Sequence, residues 1–271
     1  MVKNSNAQRV AVVTGAAQGI GLAIAQELAR HGFSVALGDL DAQAARVAAE
    51  KIGRNAIGLP LDVSEPESFQ SFLDRATQDL GAIDLVVNNA GVMWVGSFDE
   101  EPDSALHLQL NVNLRGAILG VKLSAQTMRE RGRGQIITIA SAASLLATPG
   151  EATYAATKHG VLGYLKAVRA ELKGSGVTIS VIMPTVVDTK LAAGTSSGSA
   201  KLLTAEDVAQ VVAKTVGKRK FEVTLPGYVG PLTRLINILP LPVRDRLFAA
   251  LVPDQVRDTD RSARSDYESK F

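Results

Sequence analysis

Short apolar runs rich in β-branched residues alternate with longer stretches of helical periodicity along most of the chain. The runs fall at residues 10–13, 35–37, 56–61, 85–87, 136–139, 177–183 and 221–225. Between them lie Ala-rich segments at 21–30, 42–51, 65–80, 104–130, 154–173 and 204–216 whose apolar positions recur with the helical period. Strands that are apolar throughout, not alternately, belong to a parallel sheet covered on both faces, and strand–helix–strand units supply the right-handed crossovers that such a sheet needs. The pattern predicts an α/β fold: one doubly wound, parallel, seven-stranded sheet with helices on both faces.

The alternation stops after residue 225. Leu232, Leu235, Ile236 and Leu239 then form an i, i+3, i+4, i+7 stripe, broken by Pro240 and Pro242. Leu247, Phe248 and Leu251 form a second stripe flanked by Arg244 and Arg246, and a charged tail runs from 254 to 271. Packing on the chain's own domain is the leading expectation. A lid over a lipophilic pocket, a subunit interface and peripheral membrane contact through 232–252 are the competitors. The small residues of 194–199 read as a mobile loop.

Composition narrows the chemistry. The chain has 271 residues, 46% of them hydrophobic and 21% charged, with a formal charge of +2. That balance belongs to a globular protein with a sizeable core, and the charge is too small to argue for nucleic acid. The absence of cysteine excludes a disulfide scaffold, a thiolate nucleophile and any cysteine-held metal. His31, His107 and His159 do not pair at metal-ligand spacing, so no metal site is expected. No run approaches the roughly 20 apolar residues of a membrane span, and residues 1–9 lack the apolar stretch of a secretory signal. The expectation is a soluble cytoplasmic protein.

Directly after the first run comes Thr14-Gly15-Ala16-Ala17-Gln18-Gly19-Ile20-Gly21, opening a helix. Glycines there let the backbone turn tightly and approach a pyrophosphate at the helix N-terminus, the arrangement of a Rossmann-like dinucleotide site. Asp39 ends the second run 18 residues beyond Gly21, where a carboxylate can accept hydrogen bonds from an adenosine ribose. That carboxylate would repel a 2′-phosphate, and neither Gln18 nor Leu40 is basic, so NAD is favoured over NADP.

Further motifs stand in register with that turn. Asn88-Asn89-Ala90-Gly91 follows the fourth run, and Asn113-Leu114-Arg115-Gly116 lies in the fourth helical segment. Ser141 follows the fifth run, 13 residues before Tyr154 in Tyr154-Ala155-Ala156-Thr157-Lys158. With its Thr-Gly-x-x-x-Gly-x-Gly spacing, the chain resembles the short-chain dehydrogenase/reductase family over residues 9–225. The resemblance implies Asn113, Ser141, Tyr154 and Lys158 as the catalytic set. It also implies cofactor contacts at Gly15, Gln18, Gly19, Ile20, Gly21, Asp39, Leu40, Asp62, Val63, Asn89, Ala90, Gly91, Tyr154, Lys158, Pro184, Val187 and Thr189. Lys158 would touch the nicotinamide ribose, and Asn113 would hold a water linking Lys158 to solvent. One departure is Thr185, where the family has glycine after the sixth strand; a different backbone course is expected there.

The residues also make sense as chemistry. Tyr154 and Lys158 at i and i+4 emerge on one helix face. A phenol is a poor base at neutrality, and a nearby ammonium together with an oxidised nicotinamide is expected to lower its pKa. Ser141 can hydrogen-bond the reacting oxygen, while hydride transfer belongs to the cofactor. His159, Tyr164 and Lys166 are read as structural or surface groups. Met93 and Trp94 fit either the substrate cleft or the core.

The chain therefore reads as an NAD(H)-dependent oxidoreductase interconverting a lipophilic secondary alcohol and a ketone. Residues 1–225 would form the NAD-binding catalytic domain and 226–271 a helical extension or lid. A homodimer or homotetramer is expected. A non-catalytic NAD-binding regulator and a sugar-nucleotide epimerase-like enzyme are the alternatives.

Overall fold

The computed structural model describes residues 8–271 apart from Ser199 and Lys270. Seven strands form one sheet: β1 (Arg9–Thr14), β2 (Phe33–Asp39), β3 (Ala56–Pro60), β4 (Ile83–Asn88), β5 (Gly134–Ile139), β6 (Val177–Pro184) and β7 (Glu222–Leu225). Every pairing is parallel, in the order β3-β2-β1-β4-β5-β6-β7. Strand order reverses at the β1/β4 boundary, so the crevice for a ligand opens at the C-terminal ends of these strands.

The intervening helices are α1 (Gly19–Arg30), α2 (Ala42–Ile52), α3 (Pro66–Leu80), α4 (Asp103–Gln109), α5 (Ala117–Glu130), α6 (Ala152–Glu171) and α7 (Ala205–Thr215). Strand residues serve the two faces in alternation. Val10, Val12, Val86, Ile136 and Val181 pack with Phe69, Phe72, Val121 and Leu165 of α3, α5 and α6. Ala11, Val13, Val35, Leu85 and Ile137 pack with Leu28, Ala48 and Val212 of α1, α2 and α7. Both faces are dry, which is why the strands carry no polar alternation.

The helix expected over 104–130 is present but not uniform. Residues Leu110–Gly116 widen into a π-helical turn between α4 and α5, and Asn113 sits inside it, buried. Such widened turns inside helices are frequent at functional sites. A side-chain pattern does not reveal one, because the helical dihedrals continue through it.

The C-terminal region departs furthest from expectation. Four helices follow β7: α8 (Val229–Ile236), α9 (Leu241–Leu251), α10 (Gln255–Asp258) and α11 (Arg261–Glu268). Of the first predicted stripe only Ile236 is buried; Leu235 is 63% exposed, and α9 buries no residue at all. The apolar stripes thus do not pack on the chain's own core as expected. Instead the charged tail folds inward, and Arg264 is completely buried. Among the described residues no helix is long and apolar enough to cross a membrane.

Candidate active site

The turn after β1 is built from backbone. Gly15 and Gly19 have φ of +63° and +57°, which L side chains rarely adopt. A Cβ on Gly21 would lie 2.2 Å from the Gly15 carbonyl oxygen and 2.6 Å from the Asn89 amide nitrogen. Asn89 makes this packing necessary: its Nδ2 donates to the Thr14 and Gly15 carbonyls at 2.9 and 3.1 Å. The Thr14 hydroxyl accepts from the backbone N–H of Asn89 and of Ala90, both at 3.0 Å, joining β1 to β4 at the switch point.

α1 begins without a side-chain cap and without an acidic residue in its first turn. Its leading N–H groups and positive dipole end therefore face outward, suited to a phosphate. Asp39, at the end of β2, accepts from Ala17 N–H at 2.9 Å and Asp41 N–H at 3.2 Å, and Leu40 beside it is 77% exposed. After β3, the Asp62 carboxylate is engaged by Ser64, and Val63 packs against Gly116. At the C-terminal end of β6, Thr189 caps a short turn (Lys190–Ala192) and its hydroxyl donates to the Val187 carbonyl.

Thr185 replaces a glycine without distorting the chain. No described non-glycine residue has positive φ, and Thr185 N–H donates to the Leu225 carbonyl at 2.8 Å, extending the β6–β7 ladder. Thr185 thus avoids the positive φ that a glycine could take there. The Thr185 hydroxyl is buried without a partner and lines the same cavity as Val187 and Thr189, to which the resemblance assigns the nicotinamide contacts. The glycine cradle, the open helix end and this hydroxyl fit a nicotinamide dinucleotide.

Beyond the turn lies a cavity of about 190 Å³ lined by Asn89, Ser141, Tyr154, Lys158, Pro184 and Thr189, among others. Tyr154 and Lys158 rise from one face of α6, with the Lys158 ammonium 5.4 Å from the Tyr154 ring centre. Lys158 donates to the Ile139 carbonyl at 3.5 Å, and burial pulls its pKa down to about 8. Burial drives the Tyr154 phenol above its ordinary range, and the Glu151 carboxyl adds to this; a hydrogen bond from Ser141 opposes both. The lowering expected from the ammonium together with an oxidised nicotinamide concerns the cofactor-bound protein; in the free protein desolvation of the buried phenolate dominates. Ser141 Oγ accepts from Ala143 N–H at 3.1 Å, which leaves its O–H to donate.

Asn113 is positioned by the π turn, but its amide is already engaged. Oδ1 accepts from Val92 N–H at 2.8 Å, and Nδ2 donates to the Val92 carbonyl at 2.8 Å and to Thr157. The side chain pins the loop after β4. A water-sized space of about 10 Å³ adjoins Lys158, lined by Asn88, Asn113 and Thr138. The Asn88 amide and Thr138 hydroxyl have no protein partner, the polar lining that a buried water requires.

The loops of the far wall are held by the tail, within the segment read as an extension or lid, although its individual contacts were not foreseen. Arg264 Nη1 donates to the Leu191 and Ala193 carbonyls, each at 3.0 Å, and Nη2 donates to the Met93 carbonyl at 2.8 Å. Its Nε pairs with Glu268 at 2.7 Å. The Tyr267 hydroxyl accepts from Met93 N–H, and Gln255 brackets Ser196 by bonding both its N–H and its carbonyl. Of the loop 194–199, expected to be mobile, Gly194 and Ser196 are bonded by the tail, and Ser199 lies outside the described residues. Met93 lines the cavity, whereas Trp94 folds over Gly96 instead. His159 bonds the Ala155 carbonyl of its own helix, and Lys166 pairs with Glu222, both structural. Glu151, buried one turn before Tyr154, was also missed; Leu251, Val252 and Pro253 complete the cavity mouth.

The chain is similar to known proteins over most of its length. The sequence profile described as short chain dehydrogenase matches residues 9–200. A 1-deoxy-11-beta-hydroxypentalenate dehydrogenase of Streptomyces exfoliatus is 38% identical over 223 residues, which are 79% of this chain and 81% of that protein. Among solved structures, a short chain dehydrogenase/reductase from Burkholderia phymatum in complex with NAD aligns with TM-score 0.78 at 28% identity, covering 85% of this chain and 93% of that one. An alcohol dehydrogenase from Thermococcus sibiricus complexed with 5-hydroxy-NADP aligns with TM-score 0.72 at 28% identity, covering 80% of this chain and 95% of the other. The chain belongs to the short-chain dehydrogenase/reductase family, whose members are oxidoreductases that bind a nicotinamide cofactor.

Proposed function

We propose that this protein interconverts a secondary alcohol and a ketone with NAD(H), using Tyr154 as general acid and base. The observation that carries the reading is the convergence of Ser141, Tyr154 and Lys158 on one cavity beside the glycine turn. The resemblance to NAD- and NADP-bound structures supports a dinucleotide in the cradle, and Asp39 beside uncharged Leu40 favours NAD.

When bound, the oxidised nicotinamide supplies the two-electron acceptor and a positive ring. Tyr154 accepts the proton of the substrate hydroxyl as the carbinol carbon is oxidised, and returns it in the reverse direction. That role needs a phenolate, which burial disfavours in the free protein. The positive ring and the Lys158 ammonium favour it together. Ser141 donates to the substrate oxygen and holds it against Tyr154. Lys158 Nζ reaches the ribose side of the cavity, and Asn113 keeps the loop after β4 in place. Gly15, Gln18, Gly19, Ile20 and Gly21 receive the pyrophosphate; Asp39, Leu40, Asp62, Val63, Asn89, Ala90 and Gly91 receive the adenosine half. Pro184, Val187 and Thr189 flank the nicotinamide. Residues 1–225 act as the catalytic unit and 226–271 as its lid, with the apolar wall selecting lipophilic substrates.

The test is to mix the purified protein with a panel of secondary alcohols and either NAD or NADP and follow cofactor reduction. Turnover with NAD well above that with NADP is expected. Turnover with NADP alone would overturn the cofactor assignment.

A further inference from the structure

The substrate end of the cavity is apolar, walled by Met93, Ala143, Leu146 and Leu191, with one carboxyl among them. Glu151 precedes α6, and its side chain is buried, at 9% residue exposure. No hydrogen bond and no ion pair reaches its carboxylate oxygens among the described residues. Arg264, whose charge acts on Glu151, pairs instead with Glu268 and bonds the Met93, Leu191 and Ala193 carbonyls. Glu151 lines the cavity, where a donor on a ligand can supply the hydrogen bond that the protein does not.

We infer that Glu151 determines substrate specificity by accepting a hydrogen bond from a second hydroxyl of the substrate, so that the preferred substrates are apolar-bodied diols. The inference rests on the alcohol dehydrogenase reading above. Its position one helical turn before Tyr154 puts the acceptor on the same cavity as the reacting oxygen. The charge around it selects the donor. A substrate ammonium would meet the Arg264 charge that already acts on Glu151, and a substrate carboxylate would meet Glu151 itself; a neutral hydroxyl meets neither penalty. Burial raises the Glu151 pKa to about 7, as expected for a carboxyl whose partner arrives only with the ligand.

The test compares kcat/KM for ring and open-chain alcohols with that for diols of the same carbon skeleton, such as cyclohexanol against the cyclohexanediols. The wild-type protein should prefer one diol by on the order of 10- to 100-fold, the scale of a hydrogen bond to a charged group. Glu151→Leu should erase the preference while retaining turnover of the mono-alcohol, and Glu151→Gln should keep part of it. Unchanged dinucleotide affinity in both variants separates loss of recognition from loss of fold. Mono-alcohol turnover without diol preference, or a preference that survives in Glu151→Leu, overturns this inference and leaves the alcohol dehydrogenase reading standing. Dinucleotide binding with no turnover of any alcohol overturns both.

Discussion

The turn between β1 and α1 is shaped by glycines whose backbone leaves no room for a Cβ, whereas the wall from Leu191 to Glu268 is held by side chains that bond backbone groups of distant loops. At the turn, Gly15, Gly19 and Gly21 are required because a Cβ would strike the backbone or demand a strained φ. Such a constraint fixes residue identity, so it is written in the sequence at fixed spacing. At the wall, Arg264, Gln255 and Tyr267 bond backbone groups of Met93, Leu191, Ala193 and Ser196. Any backbone carbonyl accepts a hydrogen bond, so these partners leave no local signature. The two regions close one cavity, but only the first announces itself.

The contrast breaks if substitutions in the two regions have the same consequence. Gly21→Ala should weaken dinucleotide binding by on the order of 100-fold, because an intruding methyl displaces the Gly15 carbonyl and the cradle with it. Calorimetric titration with NAD measures this, and affinity near wild type would mean that the turn does not receive the cofactor. Arg264→Ala should do the opposite, raising KM for the alcohol about tenfold while leaving NAD affinity unchanged. It should also cost on the order of 3–5 kcal/mol in unfolding free energy, since it leaves Glu268 and three backbone carbonyls unpaired. Loss of NAD binding in that variant would make the strap part of the scaffold instead of a substrate wall.

Glu151 sharpens the comparison through pH. Its folded pKa, raised from 4.5 to about 7, means the folded state binds more protons than the unfolded state across that window. Stability from this group is present below pH 4.5 and is lost as pH rises through 7. The wild-type-minus-Glu151→Gln difference in unfolding free energy should fall by on the order of 3 kcal/mol over the window. A flat difference in urea titrations would show that the carboxyl is solvated.

Much of this was legible beforehand, for physical reasons. Parallel strands buried on both faces read as continuous apolar runs, and all seven appear within a few residues of their expected positions. Asn113 was legible as a residue, but its surroundings were not, because a π turn leaves no mark on side-chain periodicity. The burial that raises the Tyr154 pKa in the free protein was not legible, since i, i+4 spacing does not report tertiary burial. The stripes of α8 and α9 misled in the other direction. Leu232, Leu235 and Leu247 have helical spacing, yet face outward.

The central claim is that Tyr154 moves the proton. Cofactor reduction should be followed with the best alcohol from the panel for wild type and Tyr154→Phe, with NAD affinity measured on the same samples. The account predicts that kcat falls by about 10²- to 10⁴-fold while NAD binds unchanged. A Tyr154→Phe protein that retains comparable turnover would contradict it.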